Sequence, residues 1–135
     1  MERDVGDIID RWSISRLKYE RIGTKENKKE FLAFEEAIKN IKAKYLKYNL
    51  DQFCELMVNI NSTIWFLEAS LKGNKEILPN SHHLDDSINE KVLANIGKNT
   101  ILIRNINSIR VKTKNLINSI TKTGFTDIKK DHISE

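Results

Sequence analysis

The sequence predicts an all-α protein, a helical bundle of about four helices with one long C-terminal helix. Three observations predict it. Apolar residues recur every three or four positions through most of the chain. Cap and stop residues stand between those runs. No stretch alternates in the manner of a strand, and Pro79 is the one proline.

The helices follow in order. Asp4 caps the first, with Asp7 favourably placed at its positive end. Val5, Ile8, Ile9, Trp12, Leu17 and Ile22 trace its apolar side, and Gly23 is a natural residue to end it. Thr24 caps the second helix, with Glu26 in its first turn and Phe31, Phe34, Ile38, Ile41, Tyr45 and Tyr48 as its stripe. Asn49-Leu50-Asp51 supplies a stop and a new cap. The third helix carries Phe53, Leu56, Met57, Ile60, Ile64, Leu67 and Leu71, and Gly73-Asn74 is its expected end. Residues 73–87 read as a polar loop, long for a compact domain. Ser87 and Glu90 form a capping box for the fourth helix. Its stripe runs through Ile88, Val92, Ile96, Ile103, Ile106, Ile109 or Arg110, Thr113, Ile117 and Ile120, with Gly97 as the expected bend. Unbroken to Thr123, it would span about 50 Å at 1.5 Å per residue. Gly124 closes it, with Phe125 and Ile128 expected to fold back over the bundle. The reading is therefore one helical domain over residues 1–123 and a tail over residues 124–135.

At 135 residues the chain suits one domain with a real core. A single cysteine, Cys54, excludes an internal disulfide framework and fits a reducing compartment. No signal peptide is recognisable, and no apolar run approaches the roughly 20 residues that cross a bilayer. A cytoplasmic protein that does not enter membranes is the expectation. A long helix that shorter ones cannot fully cover also predicts a homodimer or higher oligomer.

Charge is concentrated. Residues 1–87 hold 14 Lys and Arg against 15 Asp and Glu, whereas residues 88–135 hold 9 against 4. From Lys91 to Thr126 there is no acidic residue at all. That helix is expected to face an anionic partner, which could be nucleic acid, an acidic protein surface or the chain's own N-terminal half. Lys98, Arg104, Lys112 and Lys122, with Lys114, are the anion-facing candidates.

Other chemistry is sparse. His82-His83-Leu84-Asp85-Asp86 offers imidazoles and carboxylates, but adjacent side chains point apart and no second cluster completes a site, so no metal is expected. There is no glycine-rich phosphate loop, no GxSxG, no CxxC and no HExxH, and no cofactor motif. Cys54 lies beside the apolar face of the third helix, which reads as packing. Asp10, Arg11, Lys18, Glu20 and Arg21 form a polar set on the first helix. It reads either as a site for an anionic ligand or as an ion-pair network with Glu68, Arg104 and Arg110. Asn61 and Trp65 interrupt the third helix, as Asn107 and Arg110 do the fourth.

Three segments carry a resemblance: Asp10-Arg11-Trp12-Ser13-Ile14 with Leu17-Lys18-Tyr19-Glu20-Arg21-Ile22; Asn61, Trp65 and Glu68; and Asn107, Arg110, Lys114 and Ile117-Asn118. Together they resemble a family of short, uncharacterised all-helical proteins of bacteria and their phages. The resemblance implies an all-α fold and no particular activity. It gathers Asp10, Arg11, Lys18, Asn61, Trp65, Glu68, Asn107, Arg110 and Lys114 as a polar pocket or network. Two functions follow. The first is a self-associating, non-catalytic interaction module whose basic helix meets an anionic partner. The alternative is a small enzyme or ligand-binding protein with an inter-helix polar pocket.

Overall fold

The computed structural model describes residues 4–77 and 86–124. Among them are four α-helices and no strand: α1 (Val5–Arg21), α2 (Lys25–Lys44), α3 (Leu50–Ile77) and α4 (Asp86–Thr121). The all-α class and the long C-terminal helix are as the sequence predicts. No helix among the described residues is long and apolar enough to cross a membrane.

The local signals act as expected at the first two helices. The Asp4 carboxylate accepts the Asp7 backbone N–H, and Thr24 Oγ1 accepts that of Asn27. Between them Gly23, at φ +77°, lets α1 close by donating its N–H to the Lys18 carbonyl at 3.1 Å. Tyr19 and Phe31 stack across this corner, their ring centroids 5.4 Å apart.

Elsewhere the boundaries move. Helix α2 stops at Lys44, so Tyr45 and Tyr48 lie in the turn that leads to α3 rather than on the helix. Helix α3 runs through Gly73 to Ile77, because one glycine costs only about 1 kcal/mol in a helix interior. Helix α4 starts at Asp86, which places Ser87 inside the helix instead of at its cap. The helix also continues without a break through Gly97. It ends at Thr121 rather than Thr123, and Lys122 takes a left-handed conformation at φ +55°. The His82-His83 pair, Phe125 and Ile128 lie outside the described residues.

The chain divides into two compact units, residues 1–59 with 111–135, and residues 60–110. The first holds α1, α2, the start of α3 and the end of α4. Its buried apolar residues are Val5, Ile9, Trp12, Leu17, Ile38, Leu50, Cys54, Met57 and Ile117. Ser13 and Ser15 are also fully buried there, each satisfying its hydroxyl on a carbonyl of its own helix, those of Asp10 and Trp12. The second unit consists of the remainder of α3 and α4, with Ile60, Asn61, Ile64 and Val92 buried.

Candidate functional site

The start of α1 and the end of α4 are joined by side chains that serve backbone donors. The first N–H groups of a helix have no partner within it. Here Val5 N–H donates to Thr123 Oγ1 at 3.0 Å and Gly6 N–H to Asn118 Oδ1 at 2.8 Å, while Asp4 takes Asp7 N–H at 2.6 Å. The fourth, Ile8 N–H, already reaches the Asp4 carbonyl. Gly6 makes this crossing possible: a Cβ there would lie 2.5 Å from the Lys114 carbonyl oxygen. The left-handed Lys122 turns the chain so that Thr123 N–H meets the Asn118 carbonyl at 3.0 Å and Thr123 Oγ1 faces α1.

One turn further along lies a charged cluster. Lys114 Nζ is 3.5 Å from Asp7 Oδ1 and 3.7 Å from Asp10 Oδ2. Arg11 meets Asp7 from the same helix at 2.9 Å. Asp10 is only 2% exposed, so its charge is held where water does little to stabilise it. Asp7 in the first turn of α1 thus meets two cations, and Lys114 links it to Asp10.

The structure brings together part of the polar set expected from sequence. Asp10 and Lys114 meet, with Arg11 linked to them through Asp7. Lys18 instead approaches Glu30 of α2, at 4.0 Å. Asn61, Trp65, Glu68, Asn107 and Arg110 belong to the second unit. There Asn61 is buried, Trp65 half-buried and Glu68 exposed, and Arg110 donates to Asn107 Oδ1 at 3.2 Å. Sequence reasoning missed Gly6, Asn118 and Thr123 as a set. A glycine inside a helix was the one available hint of a close approach.

Other groups are accounted for by packing. Trp12 donates its indole N–H to Glu35 at 2.9 Å. Burial pushes the Cys54 thiol up to about 11, which keeps it protonated and poorly nucleophilic. Lys42 is raised above its usual value, chiefly by its hydrogen bond to Asp51. Among the described residues no three His, Cys, Asp or Glu side chains are placed to hold a metal ion. A shallow groove of about 220 Å³ lies between Val5 and Ile8 of α1 and Ile41 and Tyr45, below the range of typical small-molecule sites.

The anion-facing candidates present differently. Lys98, Arg104, Lys112 and Lys122 are all exposed, the first three on α4 and Lys122 just past its end. No family model, curated protein or solved structure matches this chain.

Proposed function

We propose that this protein is a non-catalytic interaction module that receives an anionic partner on α4. The observation that carries the reading is the charge from Lys91 to Thr126, which holds seven Lys and Arg and no acidic residue, six of them on α4 and Lys122 just past its end. Lys98, Arg104 and Lys112 stand exposed along it. The cluster around Asp10 supports the same reading from the other side. Its cations and carboxylates engage each other, as expected of a network that fixes helix positions. The polar-pocket alternative would instead need cationic groups turned toward a ligand.

A second reading, self-association, draws on the same helix. Leu93, Ile101, Leu102, Ile109, Val111 and Leu116, all on α4, are exposed large apolar residues.

The test is fluorescence anisotropy of labelled single- and double-stranded DNA, RNA and polyglutamate, titrated at low and near-physiological salt. Binding to at least one polyanion, weakening with salt and reduced in a Lys98→Ala/Lys112→Ala variant of unchanged Tm, is the expected result. No binding to any polyanion at low salt overturns the proposal. Sedimentation equilibrium on the same protein reads self-association directly.

A further inference from the structure

Helix α4 carries two rows that step by seven residues. Lys91 and Lys98 form one, which Asn105 interrupts before Lys112; Leu102 and Ile109 form the other, continued in sequence by Leu116. Seven residues are nearly two helical turns, so each row holds to one side of the helix. The rows are neighbours, since Lys98 and Leu102 are four apart. Lys91 and Lys98 are exposed, while Leu102 is 37% and Ile109 50% exposed. Ile101, also 50% exposed, borders the basic row on its other side. The result is a surface face with Lys91 and Lys98 toward its N-terminal end, Ile101 and Leu102 on either side of Lys98, and Ile109 further along.

From this face we infer that α4 takes an acidic amphipathic helix of a partner protein; the inference rests on the reading of α4 as the anion-facing element. Each other occupant matches only part of it. Nucleic acid engages the lysines through phosphates but leaves Leu102 and Ile109 without an apolar counterpart. A second copy of α4 supplies apolar residues but sets lysine rows against helices that contain no acid after Glu90. A partner helix with glutamates or aspartates flanking leucines or isoleucines satisfies both rows together. Its apolar residues pack on Leu102, Ile109 and Ile101, and its carboxylates reach Lys91 and Lys98.

The test uses the full chain and a synthetic helix of about 20 residues with leucines at heptad spacing between glutamates. A scrambled peptide of identical composition, labelled DNA and RNA, and vesicles of phosphatidylcholine with phosphatidylglycerol serve as competitors. The amphipathic peptide is expected to bind about tenfold or more tightly than its scramble, a difference of about 1.4 kcal/mol or more. Leu102→Ser and Lys98→Glu should each abolish that preference, with Tm held as the check on folding. Equal binding of peptide and scramble overturns the inference and leaves the anion reading standing. Tighter binding of nucleic acid or of vesicles overturns it in favour of that occupant. A dimer that Leu102→Ser dissociates overturns it in favour of a second copy. Failure of every anionic probe removes the anion reading as well.

Discussion

Asn118 Oδ1 accepts the backbone N–H of Gly6 at 2.8 Å across 112 positions of sequence. A single amide side chain on α4 therefore acts as a cap for α1, a service that helices ordinarily obtain from a residue of their own. Asn118→Ala leaves that donor without its acceptor and should cost about 1 kcal/mol, read by urea denaturation.

Gly6→Ala places a methyl group against the Lys114 carbonyl, which belongs to helix backbone and cannot swing aside. The helix propensity gained is smaller than the overlap created. A net loss of about 1–3 kcal/mol is expected, with a lower Tm. An unchanged or higher Tm would show that the two helices can separate at no cost.

Lys114→Met keeps the aliphatic stem and removes one cation beside Asp7 and Asp10. With Lys114 partly exposed and other contacts retained at both aspartates, about 1–2 kcal/mol of stability should be lost. Asp10→Asn in the same background should restore part of it. A double-mutant cycle measures the coupling, and additivity would mean that the pair contributes nothing.

Cys54 predicts a response to alkali. Its folded thiol titrates at about 11 against an ordinary 9.0. Between those values the unfolded chain has released the proton and the folded chain holds it, so stability falls as pH rises through this window. The full effect is about 2.7 kcal/mol, and below pH 9 it vanishes. Denaturation of the wild type and of Cys54→Ala at pH 8 and pH 10.5 isolates the contribution of the thiol.

Lys122 holds a left-handed conformation that side chains with a Cβ resist. Lys122→Gly relieves it and should raise stability by about 0.5 kcal/mol, after the greater freedom of glycine in the unfolded chain is subtracted. Differential scanning calorimetry gives the sign.

The parts of the fold that sequence disclosed are those set by neighbours along the chain. Asp4, Gly23 and Thr24 act within one helical turn, so their residue types were enough. Gly73 misled for a related reason: a stop signal of about 1 kcal/mol yields to a helix sustained on either side of it. The candidate cluster was half legible. Asp10 and Lys114 were singled out, but Lys18 turned to Glu30 because α2 lies alongside α1, a matter of tertiary placement. The caps offered by Asn118 and Thr123 left no sequence trace, since an asparagine or a threonine on a helix announces no partner over 100 residues away.

The clamp between α1 and the end of α4 also orders events on the ribosome. Helices α1 and α2 are made before α4 and can pair, but the Val5 and Gly6 amides must remain hydrated until Asn118 and Thr123 have been added. At about 5–20 residues per second, that wait lasts roughly 5–20 seconds. During translation α1 is thus a provisional structure, completed by residues added more than 100 positions after it.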